Sequence, residues 1–488
     1  MKLRNIIENI DIIDIRGDTN LDIKNIYYDS RKVTKDSLLI CIRGYKNDGH
    51  KFIDTAIENG AVAILIEEDI EKYIAYENIT FIKTNDTRAS MAKVSCNFYD
   101  NPTMQLKIIG VTGTNGKTSI TTFIKQILSQ YGKVGLVGTI NIDNGKEEIV
   151  SKNTTPESLD LQHHLSSMVK NNCRYCVMEV SSHSLALNRV DEIKFDIGIF
   201  TNLTPDHLDF HKDLEDYRNT KEHLFYKTDR ANIINIDDEG GQKIFNNISK
   251  LETPIYTYSI ENKADFMAKD IELKSTGVHY KVITPTYEDS IYVPIPGKFT
   301  IYNTLAVIAT NYILNIPIEI TKVGLENTKG VAGRFDNIKN DKGITVIVDY
   351  AHTPDALENV LTTAKEFAKG KIITVFGCGG DRDKGKRPVM GKLAQQYSDI
   401  SIVTNDNPRS ENPDLIIEDI VKGMDIDKEY VVIKDRKDAI NYAIDKAFNG
   451  DVVMIVGKGH ENYQIIGDVK HHFDDKEVAK EAINRKSK

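Results

Sequence analysis

The run LKIIGVTGTNGKTSITTFIKQILSQ, Leu106 to Gln130, joins an apolar strand-type segment to an amphipathic helix through a glycine-rich turn. Ile120, Phe123, Ile124, Ile127 and Leu128 recur at helical spacing, which puts the helix N-terminus at the turn. There the helix dipole and the unpaired N–H groups favour an anion. The loop Thr112, Gly113, Thr114, Asn115 and Gly116 forms a phosphate cradle, its glycines removing Cβ atoms where backbone N–H groups must face phosphate oxygens. Lys117 adds a mobile positive charge, and the Thr118 hydroxyl is a natural Mg²⁺ ligand. The reading is an ATP site on an α/β sheet. Gly110 departs from the usual spacing, standing six positions before Gly116 instead of five.

The 488 residues exceed what one core organises and predict about three domains. A net charge of −9 argues against a nucleic-acid surface, which needs a basic face. The five cysteines, Cys41, Cys96, Cys173, Cys176 and Cys378, are few and odd in number, which suits a reducing cytoplasm better than a disulfide framework. Cys173 and Cys176 form a lone C-x-x-C that runs into the apolar segment YCVMEV, so buried thiols are expected there in place of a metal site. No signal peptide and no membrane-length apolar run is read, so no membrane insertion is expected.

Strand and helix signals alternate from Asp36 onward. Strands are expected at Leu38 to Ile42, Ala61 to Glu67 and Ile79 to Thr84, with helices at Phe52 to Asn59 and Thr87 to about Tyr99. Asn101-Pro102 closes the first domain, 1–102. The second, 103–330, adds strands at Tyr175 to Val180, Ile197 to Thr201 and Ala231 to Ile236, then short alternating strands such as Val278 to Ile283, and a helix after Asn303. In the third, 331–488, the strand TVIVDY precedes a helix at Asp355 to Phe367. Further strands are read at Ile372 to Phe376, Ser401 to Thr404 and Val452 to Val456. The loops beyond the carboxyl ends of these strands are the candidate sites.

Glu179 ends YCVMEV behind the phosphate loop, where a nucleotide-bound Mg²⁺ is usually held. TNLTPDHLDFH, Thr201 to His211, places two histidines four apart beside Asp206 and Asp209; taken alone it reads as a capped helix start. Lys221, in YRNTKEHLFY, taken alone reads as a helix-surface lysine.

The ordered set TGTNGKT, EVSSH, TNLTPDHLDFH, YRNTKEHLFY, GKFTIYNTLAV, GRFD and DYAHTP resembles the Mur ligase and folylpolyglutamate synthase superfamily, and more closely the Mur ligases. The resemblance implies a small α/β uridine-diphosphate-binding domain, a central phosphate-loop ATPase-like domain with a mixed sheet, and a Rossmann-like C-terminal domain. It also implies Mg²⁺ on Thr118, Glu179, His207 and Lys221, the last carbamylated to N6-carboxylysine. On the same ground ATP meets Lys117, Asn303, Arg334 and Asp349, and His352 takes part in catalysis. YDSRKV and RGYKNDGHKF are similar to the module that binds the uridine nucleotide, giving Tyr28, Ser30, Tyr45, Lys46 and Asn47. Asn153, Thr154, Thr155, Ser181 and Arg189 would hold the sugar-peptide, while Leu187 stands where relatives carry glutamine. FGCGGDRDKGKRP, DNPR and GKGHE are similar to the branch adding meso-diaminopimelate to UDP-MurNAc-L-Ala-D-Glu. They give Arg382, Asp406, Asn407, Pro408, Arg409, Gly457 and Glu461 as the amino-acid site. The resemblance therefore implies an ATP-dependent ligase, expected to be a cytoplasmic monomer. Alternatives are the same ligase using L-lysine, a folylpolyglutamate synthase-like ligase and a nucleotide-binding module without catalysis.

Overall fold

The structure is a computed structural model that describes residues 1–44, 47–208 and 210–486. The chain divides into two units. The first holds Met1–Leu203, His207–Ile234 and Asp238–Tyr256, and the second holds Thr204–Asp206, Asn235–Asp237 and Thr257–Lys488.

The first unit opens on a five-stranded sheet in the order Ile12–Arg16, Thr80–Thr84, Ala61–Ile66, Ser37–Ile40, Asn25–Tyr27. Ser37–Ile40 and Ala61–Ile66 are almost wholly buried, which matches their unbroken apolar runs, because helices and loops cover both faces of a largely parallel sheet. The edge strand Ile12–Arg16 pairs antiparallel and stays half exposed, so its sequence carries little periodic signal.

The remainder of that unit is built on five parallel strands in the order Thr228–Asn235, Phe195–Phe200, Lys107–Thr112, Cys173–Glu179, Lys133–Val137. Two short antiparallel strands, Asn141–Asp143 and Glu148–Val150, follow at the edge. The register fixes what faces the phosphate loop. Glu179 lies opposite Val111 on one side and Phe200 opposite Thr112 on the other, so all three strands deliver their carboxyl ends together. Gly110 sits inside the central strand, where a Cβ would lie 2.7 Å from the Phe195 ring. The glycine that breaks the usual spacing is thus a packing residue and no part of the loop. Cys173 and Cys176 are buried free thiols, as the apolar strand around them predicts.

In the second unit, Phe266–Lys274, Gly277–Ile283 and Glu288–Val293 form an antiparallel meander. The helix beside it, Lys298–Ile313, bonds to it through Tyr280 Oη and Thr304 Oγ1 at 2.7 Å. That helix begins before Asn303, not after it: an apolar run buried on most sides carries no periodic stripe, so its start is poorly marked. The C-terminal sheet runs Asp336–Asn337, Thr345–Asp349, Val452–Val456, Ile372–Phe376, Ile400–Val403, Tyr430–Val432, parallel except for the first strand. Apolar clusters fill both faces, as in a doubly wound fold.

One ion pair lies deep in this sheet's surroundings. Arg436 and Asp475 are both 0% exposed, and the guanidinium gives Nε and Nη2 to the two carboxylate oxygens at 2.7 Å each. Nη2 also donates to the carbonyl of Val456 at 3.0 Å and Nη1 to that of Asn405 at 3.4 Å. The C-terminal helix Asp475–Arg485 thus anchors the ends of two strands. Removing the carboxylate leaves a guanidinium buried without its counter-charge, so Asp475→Ala is expected to lose about 3–5 kcal/mol. Urea unfolding of the full chain measures this, and a loss under about 1 kcal/mol contradicts it.

Candidate active site

The phosphate loop follows from the strand ends. Thr114 N–H donates to Asn202 O at 2.8 Å, Asn115 N–H to Asn202 Oδ1 at 2.9 Å, and Thr201 Oγ1 to Asn115 O at 2.6 Å. Gly113 has φ +142, and a Cβ there would meet Thr201 Oγ1 at 1.8 Å, so only glycine lets the two segments approach. Gly116, at φ 87, turns the chain into the helix Lys117–Leu128. Thr112 is buried at the strand end.

Two ammonium groups meet one carbonyl. Lys117 Nζ donates to Gly113 O at 2.8 Å and to Thr114 O at 2.7 Å, and Lys221 Nζ donates to Gly113 O at 3.0 Å. Lys221 is 1% exposed, with its ammonium 4.2 Å from the centre of the Tyr217 ring. The surface-lysine reading of Lys221 is therefore wrong: its helix, Leu214–Glu222, turns this residue inward. Glu179 is buried as well. Its Oε2 accepts Thr118 Oγ1 at 3.1 Å and Thr139 Oγ1 at 3.0 Å, and its Oε1 accepts Thr139 N–H at 2.8 Å. Thr139 escaped sequence reading because nothing around it marks a motif.

His207 is exposed, has φ 54, and its ring lies 4.9 Å from that of His183. The run around it is not a helix start; the helix begins at Leu214, capped by Asp213. His211, four residues on, is buried and bonds Ser182 Oγ at 2.9 Å. Among the described residues no group of three or more His, Cys, Asp or Glu gathers to hold a metal. A buried carboxylate beside a threonine hydroxyl is nonetheless the hard oxygen pair that suits Mg²⁺, which keeps waters and takes further ligands from substrate phosphates.

The residues expected at the sugar-peptide continue from this floor. Thr154 Oγ1 contacts Thr139 Oγ1 at 3.1 Å, and Thr155 Oγ1 donates to Glu179 O at 2.8 Å. Ser181 N–H donates to Thr155 Oγ1 at 3.2 Å. Arg189 donates to Thr155 O at 3.0 Å and pairs with Glu157 at 2.8 Å, while Asn153 is exposed beside them. Leu187 ends the short helix Ser182–Ala186, half-buried. Tyr28 Oη donates to Asp160 at 2.6 Å, and burial followed by that carboxylate pushes the phenol up. Ser30 is buried in a turn, and Asn47 is exposed. Tyr45 and Lys46 lie outside the described residues.

In the second unit Asn303 is buried on its helix. Asp349 accepts Phe335 N–H at 2.6 Å and Ala351 N–H at 2.8 Å; burial raises its carboxyl against the pull of Arg334 and both amides. The Arg334 guanidinium lies 5.1 Å from the Tyr350 ring centre. His352 is exposed, with Nδ1 2.8 Å from Tyr350 O, and its own carbonyl accepts Lys386 Nζ at 2.8 Å.

DNPR and GKGHE come together in the same unit. Asn407 Nδ2 donates to Glu461 Oε2 at 2.9 Å, and Gly457 N–H donates to Asp349 O at 3.1 Å. Asp406 Oδ1 accepts Asn407 N–H at 2.6 Å, and Pro408 is buried. Arg409, at φ 52, is half-buried and gives Nη1 to Gly380 O at 2.8 Å, so its side chain reaches the loop that carries Arg382. Arg382 is exposed, with Nη1 on Asp381 O at 3.0 Å. Sequence reading missed Arg387, although it lies within a quoted motif. It is 0% exposed, paired with Glu411 at 2.8 Å and Asp419 at 3.1 Å, and holds the Glu411 carboxyl down at about 2.

Comparison with known proteins agrees with this geometry along the chain. Three family models match in succession: Mur ligase family, catalytic domain, over 22–99; Mur ligase middle domain over 111–311; and Mur ligase, glutamate ligase domain, over 333–459. The chain is 62% identical, over 99% of its length and 100% of the relative's, to a UDP-N-acetylmuramoyl-L-alanyl-D-glutamate--2,6-diaminopimelate ligase of Clostridioides difficile (strain 630). It is 48% identical to the protein of that name from Alkaliphilus metalliredigens (strain QYMF), covering 99% and 97%. A solved structure with the same name superposes with a TM-score of 0.73 at 32% identity, covering 99% of each chain. On three successive family models and near-complete overlap with such relatives, the chain belongs to the Mur ligase family and has its three-domain α/β fold.

Proposed function

We propose that this chain adds meso-diaminopimelate to UDP-N-acetylmuramoyl-L-alanyl-D-glutamate with ATP, in the assembly of peptidoglycan precursors. It is an ATP-dependent Mur ligase. The observation that carries the choice of amino acid is the hydrogen-bonded meeting of DNPR with GKGHE. It ties, within the second unit, the loop that carries Arg409 to the loop that carries Gly457 and Glu461. The reading places the protein in the cytoplasm as a monomer, with domain limits at 1–102, 103–330 and 331–488.

A carboxylate is a poor electrophile. In the reaction one oxygen of the D-glutamyl γ-carboxylate attacks the γ-phosphorus of ATP and ADP departs. The amine of diaminopimelate then attacks the acyl carbon, loses a proton, and phosphate leaves with the original carboxylate oxygen. Lys117 and the amides of Gly113 to Thr118 neutralise the transferring phosphoryl group. Arg189 and Thr155 hold the peptide end, and Tyr28 and Ser30, with Tyr45, Lys46 and Asn47, hold the uridine nucleotide. Asn303, Arg334 and Asp349 are the further residues assigned to ATP, and His352 is assigned to catalysis. Thr118, Glu179, His207 and a carbamylated Lys221 would hold Mg²⁺, which would supply charge neutralisation for the phosphates.

Carbamylation follows the local charge. A buried ammonium already shares Gly113 O with Lys117; once deprotonated, its Nζ can add to CO₂ and lose a second proton, which replaces that cation with the anionic oxygen donor of a carbamate. Lys221→Ala is expected to lose at least about 100-fold in kcat. Added acetate or formate should restore part of that loss by standing in for the carbamate; a variant with close to parental turnover contradicts the assignment.

Specificity rests on Arg409. Diaminopimelate carries a distal carboxylate that lysine lacks, and a guanidinium fork is matched to it. Lysine leaves the arginine unpaired, a penalty of about 2–5 kcal/mol, or roughly 30-fold to several thousand-fold in kcat/KM. Arg409→Ala is expected to collapse that ratio. Equal kcat/KM for the two amino acids in the parent, or an unchanged preference in the variant, overturns the reading.

A further inference from the structure

Lys458, inside GKGHE, is 0% exposed, yet the reaction described above gives it no task. Its Nζ donates to Asn407 Oδ1 at 3.1 Å and to Glu461 Oε2 at 3.3 Å, and lies 5.6 Å from the Tyr463 ring centre. Asn407 Oδ1 also accepts Ile465 N–H at 2.9 Å. Two donors on one oxygen settle the orientation of the amide, so Nδ2 is the atom that reaches Glu461 Oε2. Glu461 Oε2 thereby accepts two bonds, whereas Oε1 accepts none among the described residues.

We propose that Lys458 is a positioning residue for the amino-acid substrate: it fixes Asn407 and Glu461 so that Glu461 presents its second oxygen to the distal ammonium. The inference rests on the amino-acid site proposed above. A fully buried Nζ does not touch the substrate, so Lys458 acts through its two partners. Its charge also faces the Glu461 carboxylate at 3.3 Å, and the Tyr463 ring lies beside the ammonium. Methionine has nearly the same length and no donor. In that variant Asn407 loses one of the two bonds that hold its flip, and Glu461 loses both a bond and its counter-charge.

The test measures phosphate release by the full chain with ATP, UDP-MurNAc-L-Ala-D-Glu and meso-diaminopimelate, for Lys458→Met, Glu461→Gln and the double variant. Lys458→Met should raise KM for diaminopimelate about 10- to 100-fold, while KM for ATP and for the nucleotide substrate stays within about twofold. Added to Glu461→Gln, it should cost less than about threefold more, because both changes remove one function. An unchanged KM for diaminopimelate in Lys458→Met, or full additivity in the double variant, overturns the inference. If Glu461→Gln itself leaves that KM unchanged, the amino-acid site is misassigned and the inference falls with it. If Lys458→Met does not fold, Lys458→Gln, which keeps an N–H donor but no charge, takes its place under the same criteria.

Discussion

Two lysine ammoniums bonded to one backbone carbonyl, that of Gly113, are the constraint on which the first unit turns. Lys117 and Lys221 each lie within hydrogen-bond distance of that oxygen, which puts the two cations within about 6 Å of each other. Both side chains are thereby tied to the turn that leads into the helix Lys117–Leu128, and Lys221, 1% exposed, is held there almost wholly out of water. The arrangement depends on Gly113, because only a residue without Cβ admits the Thr201 hydroxyl against the loop. It depends equally on the strand register that brings Glu179 and Phe200 to the height of Val111 and Thr112.

The second unit solves a different problem, that of bringing loops from separate strand ends into a fixed relation. Asn407 follows one strand and Glu461 another, and they are bonded directly. Behind them Arg436 donates to the carbonyls of Asn405 and Val456, the residues just before DNPR and GKGHE, while Asp475 of the last helix holds the guanidinium. Buried ions of this kind are costly to assemble and costly to disrupt, which suits a task of geometric definition more than one of stability.

Much of this was legible in the sequence because motif and fold reinforce each other. An apolar strand, glycines, lysine and a helical stripe specify a phosphate loop locally, and Glu179 was read correctly as a strand-end carboxylate beside it. The strands Ile372–Phe376 and Val452–Val456 were found where expected, since continuous apolar runs of that length mark a buried parallel sheet. What escaped depends on tertiary contact. Lys221 looks like a surface residue until the helix is docked on the loop. Thr139, Arg387, Arg436 and Lys458 carry no periodic signal, because their roles are set by partners 3 to 51 residues away in the chain, brought near only by folding. Edge strands such as Ile12–Arg16 are half exposed and so lack the alternation that announces a strand.

The central claim is that this loop activates a carboxylate by phosphorylating it, so that the amide forms by displacement of phosphate. The direct measurement uses UDP-MurNAc-L-Ala-D-Glu labelled with ¹⁸O in the γ-carboxylate, with ATP and meso-diaminopimelate, and follows the label by mass spectrometry of the released phosphate. The account predicts that each turnover moves one carboxylate oxygen into phosphate and leaves the other in the new amide. Amide product formed with unlabelled phosphate would contradict it.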